Sequence, residues 1–396
     1  MAENRDYFAT FHEEIRRAAK TSAPVLPLAA AELERLAATT LDPALFSYVA
    51  GGAGAERTAA ANLEAFARRR IVPRMLRGTA APTGRDLSVE VLGTRLAAPV
   101  LTAPVGALEV LHTRGEVAVA EVARELGIGT VLSTVASSTI EEVGAVAGQN
   151  WWYQLYWPAE ESVAKSLVQR AAKAGAKAVV ITVDTPTIGW RPREISSETT
   201  PILRGYGIAN YLSDPVFRSI LAEPPEAGTD AHQAAMAAVS AMFGNHTIRA
   251  ADIGRVRDWT DLPIVAKGVL HPDDARSLVA AGADGIVVSN HGGRQVDGAV
   301  AALDTLASIV AAVGDRADVL FDSGVRTGTD VLIAIALGAK AVLYGRPWVY
   351  GLGLAGKAGV RHALRLLLAD FDITMGLVGC ATPADIDESL IHPHRY

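Results

Sequence analysis

The sequence predicts an α/β protein with a (β/α)8 TIM-barrel fold, an N-terminal helical extension and a long insertion after the fourth strand. From residue 97 onward, eight short, mostly apolar runs alternate with segments of helix length. Unbroken apolar strands are typical of a parallel sheet buried on both faces, and eight of them with intervening helices close into a barrel. The alternative, an open doubly wound sheet, predicts a glycine-rich turn after the first strand, where residues 103–106 read APVG.

The first 95 residues are expected to be helical. Residues 29–39 place leucines at helical spacing, and Asp42 with Pro43 forms an N-cap followed by proline at the first helical position. Gly51 and Gly52 end that helix, and residues 56–70 form a third. We interpret residues 1–396 as one domain: a helical segment (1–95), the barrel (96–360), and C-terminal helices with a tail (361–396).

The eight predicted barrel strands span residues 99–103, 129–133, 152–155, 178–182, 263–267, 285–289, 319–322 and 341–344. Helices are predicted between most of them, for example over 272–281 and 329–337. One connection is much longer than the others, because residues 201–244 are inserted between the fourth and fifth strands. A long excursion at this face of a barrel is typically a lid or a binding loop.

Composition narrows the function classes. Forty-three acidic and 37 basic residues give a net charge of −6, which argues against binding to nucleic acid. No apolar run approaches the roughly 18 residues of a membrane span, and the charged N-terminus lacks the apolar core of a secretory signal, so we expect a cytoplasmic enzyme without a membrane partner. The single Cys380 and the scattered histidines, of which His392 and His394 are the closest pair, predict no metal site.

The turns after the seventh and eighth strands predict a phosphate site. Gly324 and Arg326 follow the seventh strand, and Gly345 and Arg346 follow the eighth. These two loops of a barrel often bind phosphate through backbone N–H groups, and the arginines add charge. We therefore expect a phosphate-bearing ligand.

His291, after the sixth strand, is the candidate acid–base group. Asp184 lies on the same rim, where it could orient the imidazole and stabilise its cation. Arg191 and Arg294 at the same mouth predict a substrate carboxylate, because guanidinium binds carboxylate in a bidentate manner. A satisfied loop histidine and structural salt bridges are the alternatives for these residues.

The motifs at these positions resemble those of the FMN-dependent α-hydroxy acid dehydrogenase/oxidase family. They are SYVAGG (47–52), QLY (154–156), TVDTP (182–186), KG (267–268), SNHGGRQ (289–295), DSGVRTGTD (322–330) and GRP (345–347). The resemblance spans nearly the whole chain. It implies FMN at the barrel mouth, a small 2-hydroxy acid and O2 as substrates, and a homotetramer or homo-octamer.

The resemblance also implies a role for each residue. His291 would be the catalytic base, paired with Asp184, while Tyr156 would bind the 2-hydroxyl and Lys267 would stabilise the reduced flavin. The substrate-binding residues would be Tyr48, Tyr156, Arg191 and Arg294. The cofactor-binding residues would be Ala103, Pro104, Val105, Ser133, Gln154, Thr182, Lys267, Ser289, Asp322, Ser323, Gly324, Arg326, Gly345 and Arg346.

Within the family, the sequence most resembles the lactate 2-monooxygenase branch. The features that carry this resemblance are residues 103–106, residues 189–193 and the insertion. This implies oxidation of L-lactate to acetate, CO2 and water, with the insertion retaining the product as a lid. The alternative within the family is an oxidase that releases the 2-oxo acid and H2O2, on a larger or aromatic substrate for which Val135 and Gly106 leave space. A lyase or isomerase on a sugar phosphate, and a non-catalytic binding barrel, are the alternatives from other classes.

Overall fold

The computed structural model describes residues 6–20, 25–79, 85–197 and 200–393, without the side chains of residues 202 and 203. His394 and the two chain ends lie outside the described residues. The N-terminal helices are α1 (Tyr7–Lys20), α2 (Ala30–Thr40), α3 (Pro43–Ala50) and α4 (Arg57–Arg68). The Asp42 carboxylate accepts from the N–H groups of Ala44 and Leu45 and so caps α3 as predicted, with Pro43 at the first position. The helical extension is confirmed.

A short hairpin follows, formed by β1 (Val89–Val91) and β2 (Thr94–Leu96). The expectation that residues 1–95 are all helical is therefore wrong at this point. Val91 and Leu96 are completely buried against the interior of the barrel, so the hairpin covers the end opposite the cleft. Leu92 and Gly93 both have positive φ, as the tightest hairpin turns require.

Eight parallel strands form a closed barrel, which confirms the predicted fold. They are β3 (Val100–Thr102), β4 (Gly129–Ser133), β5 (Trp151–Leu155), β6 (Val179–Thr182), β7 (Ile264–Val269), β8 (Gly285–Val288), β9 (Asp318–Phe321) and β10 (Ala341–Tyr344). The strands follow one another in chain order, and β10 pairs with β3. Buried side chains such as Leu101, Trp152 and Val265 fill the interior, so the functional face is the rim at the carboxyl ends of the strands.

Helices surround the barrel. The first three are α5 (Gly115–Leu126), α6 (Ile140–Ala147) and α7 (Glu161–Lys173), and the last four are α12 (Pro272–Ala280), α13 (Ala302–Val313), α14 (Gly328–Ala336) and α15 (Arg346–Val378). Helix α15 is kinked at Ala355 and Gly356. No helix among the residues in the described ranges is long and apolar enough to cross a membrane.

The predicted insertion lies between β6 and β7. This connection contains α8 (Pro192–Ser196), α9 (Ala209–Leu212), α10 (Pro215–Ser219) and α11 (Thr229–Met242), with 3-10 turns at Pro201–Arg204, Pro225–Ala227 and Ala250–Asp258. Ala235 and Val239 of α11 are fully buried, so the segment packs on the body of the molecule. Pro201 and Phe243, one near each end of the insertion, contribute to the wall of the cleft.

Candidate active site

A cleft with about 1260 Å³ of empty space opens at the carboxyl ends of the strands. Most of the predicted site residues line it, namely Tyr48, Ala103, Pro104, Val105, Tyr156, Arg191, Lys267, His291, Arg294, Asp322, Ser323, Gly324, Arg326, Gly345 and Arg346. The other predicted residues lie directly behind this surface and are bonded to it or to one another. The residues predicted for the site thus lie together at one end of the barrel. Among the described residues, no cluster of His, Cys, Asp and Glu could hold a metal ion.

His291 and Asp184 form a partly buried pair on this rim. The His291 Nδ1 lies 2.9 Å from Asp184 Oδ1 and the opposite Nε2 lies 3.4 Å from the Tyr156 hydroxyl. Thr185, which sequence analysis did not single out, donates to Asp184 Oδ1 at 2.9 Å. Burial lowers the pKa of His291 below its ordinary value, and the Asp184 charge opposes this effect without overcoming it. The imidazole is therefore neutral near pH 7 and able to accept a proton.

The loop that carries His291 is held in a left-handed conformation. His291 has φ +58°, and its N–H donates to the Ser289 hydroxyl at 3.0 Å. The Ser323 hydroxyl accepts from the N–H groups of Asn290 and Gly292 at 3.2 and 3.1 Å. Non-glycine residues occupy this region at a cost and persist where the surroundings enforce it. Ser289 and Ser323, predicted for the cofactor, thus also fix the position of the histidine.

Asp184 packs directly on Gly268. The glycine has φ +107° and lies at a register shift in β7, between Lys267 and Val269. A Cβ at this glycine would lie 2.4 Å from Asp184 Cγ, so only glycine allows the observed position of the carboxylate. Bulges next to active sites commonly redirect side chains in this way.

Lys267 is a buried cation at the centre of the cleft wall. Its Nζ lies 2.9 Å from Asp322 Oδ2 and 3.1 Å from the Ser289 hydroxyl, and the residue is 4% exposed. Burial disfavours the ammonium, but the charges of Asp322 and Asp184 outweigh that effect and raise the pKa of Lys267. A fixed positive charge at this position can stabilise negative charge that develops on a bound ligand during a reaction.

Three predicted residues form a buried polar chain across the ends of β4, β5 and β6. The Ser133 hydroxyl donates to Gln154 Oε1 at 3.0 Å, and Gln154 Nε2 donates to Thr182 Oγ1 at 2.9 Å. Such satisfied networks hold side chains in one geometry. The chain therefore presents ordered polar groups behind the surface of the cleft.

The two predicted carboxylate ligands, Arg191 and Arg294, share a partner that sequence analysis missed. Glu194, at the start of α8, accepts from Arg294 Nη2 at 2.6 Å and lies 3.6 Å from Arg191 Nη1. Gln295, also missed as a functional residue, accepts from Arg191 Nη2 at 3.0 Å. Burial, reinforced by the charge of Arg294, lowers the pKa of Arg191 to about 10, which leaves it positively charged at neutral pH.

The other predicted carboxylate ligand, Tyr48, donates its hydroxyl to the Gly106 carbonyl at 2.9 Å. Its ring lies beneath the guanidinium of Arg294, 5.8 Å from the ring centre. Tyr48 thus connects α3 with the loop after β3.

The predicted phosphate site is centred on the first turn of α15. No side chain caps this helix at Gly345, and an uncapped N-terminus attracts anions. A Cβ at Gly345 would meet only Ala103, at 3.8 Å, which leaves room for a group close to the backbone. Arg326 lines the same end of the cleft. Arg346 lines it too, but its guanidinium also donates to the carbonyls of Val49, Gly51 and Gly292.

These residues fit FMN. The first turn of α15 with Arg326 and Arg346 would hold the phosphate, and Lys267 and the polar chain would face the ring. The lining of the same cleft runs from Gly345 and Arg326 to His291, Arg191 and Arg294, so one cleft would hold the cofactor and a small substrate side by side.

Comparisons with known proteins agree with this geometry. The model of the FMN-dependent dehydrogenase family matches residues 37–393. The chain is 42% identical to 4-hydroxymandelate oxidase of Amycolatopsis orientalis over 88% of its length and 94% of the relative. It is 40% identical to an L-lactate oxidase of Nostoc sp. over 92% and 98%. The crystal structure of mandelate oxidase superimposes with a TM-score of 0.80 and 39% identity, over 92% of this chain and 98% of that one. The chain thus belongs to the family of FMN-dependent dehydrogenases and is an FMN-dependent oxidoreductase that acts on 2-hydroxy acids.

Proposed function

We propose that the enzyme oxidises L-lactate as a lactate 2-monooxygenase, giving acetate, CO2 and water. The observation that carries the proposal is the placement of the neutral His291 and its Asp184 partner on the same cleft as Arg191 and Arg294. A base and a pair of cations on one cleft suit a 2-hydroxy acid, which carries a hydroxyl next to a carboxylate.

Each residue then has a defined task. Arg191, Arg294 and Tyr48 bind the carboxylate, and Tyr156 donates to the 2-hydroxyl. His291 Nε2 accepts a proton from the substrate, and Asp184 stabilises the imidazolium that results. FMN, when bound, accepts the two electrons of the oxidation and passes them to O2.

The monooxygenase outcome requires that the first products stay together. Oxidation of L-lactate by O2 gives pyruvate and H2O2, and the peroxide then adds to the keto carbon of pyruvate. The O–O bond and the bond to the carboxyl carbon break, which gives acetate, CO2 and water. Pro201 and Phe243 bring the insertion to the wall of the cleft, so we assign the retention of pyruvate to this segment.

An oxidase that releases the 2-oxo acid and H2O2 is the second candidate. Val135 and Gly106 form part of the cleft wall, and such small residues admit an aromatic side chain. The names of the relatives, 4-hydroxymandelate oxidase and L-lactate oxidase, also favour this outcome.

Product analysis decides between the two. The FMN-loaded enzyme is incubated aerobically with L-lactate and, separately, with L-mandelate, and the oxo acid, H2O2 and CO2 are measured together. We expect CO2 in proportion to L-lactate consumed, with little peroxide. Pyruvate and peroxide in equal amounts would assign the chain to the oxidases instead.

A second experiment tests the insertion as a lid. Shortening residues 201–244 should raise the peroxide released per L-lactate consumed, because pyruvate would escape before it reacts. An unchanged, near-zero peroxide yield would show that the insertion does not retain pyruvate. A cytoplasmic location and assembly into a tetramer or octamer remain predictions, which fractionation and light scattering can check.

A further inference from the structure

Glu194 lies where its charge acts on both arginines of the proposed carboxylate subsite. Its side chain is 6% exposed and its carboxylate contacts Arg294 and Arg191 at 2.6 and 3.6 Å. The residue lines the cleft rather than lying beneath it. Two guanidinium groups and one carboxylate leave a single unit of positive charge at this subsite.

The remaining hydrogen bonds of the two arginines fix them in place. Arg294 Nη1 donates to the carbonyls of Tyr48 and Gly51, and Arg191 Nε donates to the carbonyl of Arg294. Because the guanidinium groups are held by the main chain, Glu194 is not needed as their only anchor. Its distinctive contribution is the negative charge.

The described part of the cleft lining offers no further cation to the substrate side chain. Gly106, Val135, Ile188 and Phe243 are uncharged members of that lining. The other cations of the lining have separate tasks: Lys267 is paired with Asp322, and Arg326 and Arg346 lie at the phosphate end. A second carboxylate on the substrate would therefore be buried without a partner, which is costly.

We propose that Glu194 is a specificity-determining residue, whose carboxylate limits the subsite to one negative charge and makes the enzyme select 2-hydroxy monocarboxylates over dicarboxylates. The inference rests on the proposed function, since it takes Arg191 and Arg294 as the ligands of the substrate carboxylate. Neutralising Glu194 raises the net charge of this subsite from one positive unit to two. The Coulomb energy of a bound anion scales with its charge, so affinity for a dianion rises more than affinity for a monoanion.

Propionate and malonate are a matched pair for the test, because malonate replaces the methyl group of propionate by a carboxylate and neither can be oxidised. Binding of each to the FMN-loaded enzyme is followed by the change in flavin absorbance. Glu194→Gln keeps an acceptor for Arg294 and removes the charge, while Glu194→Asp keeps the charge. We expect the affinity for malonate relative to propionate to rise about tenfold in Glu194→Gln, which corresponds to about 1.4 kcal/mol. In Glu194→Asp this ratio of affinities should stay near the wild-type value.

An unchanged malonate-to-propionate ratio in Glu194→Gln would overturn the proposal and leave Glu194 a purely structural partner of the arginines. A wild-type measurement covers the case in which Glu194→Gln does not fold. The wild-type kcat/KM for tartronate should be at least about tenfold below that for L-lactate, and equal values would also overturn the proposal. If no 2-hydroxy acid bleaches the flavin without air and neither anion perturbs its spectrum, it is the proposed function that fails.

Discussion

Replacing Gly268 by alanine should separate the catalytic base from its partner. The new Cβ would lie 2.4 Å from Asp184 Cγ, whereas carbon atoms in contact prefer about 3.5–4.0 Å. The carboxylate must therefore move by about 1 Å, which breaks the 2.9 Å bond to His291 Nδ1. A hydrogen bond to a charged group contributes about 1.5–3 kcal/mol, so we expect kcat/KM for L-lactate to fall about 10- to 150-fold.

The pH profile gives a second readout. Because Asp184 opposes the lowering of the His291 pKa by burial, moving the carboxylate away lowers that pKa further. The base is active when neutral, so the acidic limb of kcat/KM should move to lower pH in Gly268→Ala. Initial rates of anaerobic flavin reduction across the pH range measure both effects.

A matched control isolates the steric cause from backbone strain. Gly282 has φ +105°, close to that of Gly268, but a Cβ there meets only Gly254 Cα at 3.9 Å. Gly282→Ala should lower the melting temperature and leave kcat/KM near wild type. In an Asp184→Gly background, which also removes the Cβ that lies 2.5 Å away, Gly268→Ala should cost little further activity. An equal loss in both backgrounds would refute the reasoning.

Three further predictions follow from the same site. Lys267→Met leaves the Asp322 carboxylate buried without its cation, so it should lower the free energy of unfolding by about 3–5 kcal/mol, as measured by denaturant unfolding. Adding Asp322→Asn should restore the stability but not kcat/KM. Recovery of both would contradict an electrostatic role of Lys267 in the reaction. Arg326→Gln should weaken FMN binding about 10- to 100-fold, as measured by fluorescence of the released cofactor, and unchanged affinity would exclude Arg326 from the phosphate site. In the wild type, kcat/KM should fall as pH drops through a pKa below the ordinary 6.5 of histidine, because burial lowers that of His291; a limb above 6.5 would contradict this assignment.

The barrel could be predicted from sequence because its strands obey a simple rule. A parallel strand buried on both faces reads as an unbroken apolar run, and each run observed lies within two residues of its predicted bounds. The hairpin of β1 and β2 does not obey this rule, since each strand has only three residues. An alternation of buried and exposed residues over three positions is too short to be recognised as a period in the sequence.

That the candidate site residues at strand ends lie together was predictable for a related reason, because the fold places all eight ends on one rim. What the sequence could not show is how the charges pair across the rim. Glu194 and Arg294 are a hundred residues apart and meet only because α8 packs beside the loop after β8. The one local signal was an acidic residue three positions after Arg191, which is typical of any helix start.

The N-terminal extension contributes to the site although it lies outside the barrel. Helix α3 ends at the cleft, and the carbonyls of a last helical turn lack partners within the helix and carry partial negative charge. Arg294 donates to those of Tyr48 and Gly51, and Arg346 donates to those of Val49 and Gly51. One helix end thus orients a cation of the proposed carboxylate subsite and a cation of the phosphate site. Because both arginines are partly buried, this common anchor stabilises their charges before any anion binds, and it couples the geometry of the cofactor end to that of the substrate end.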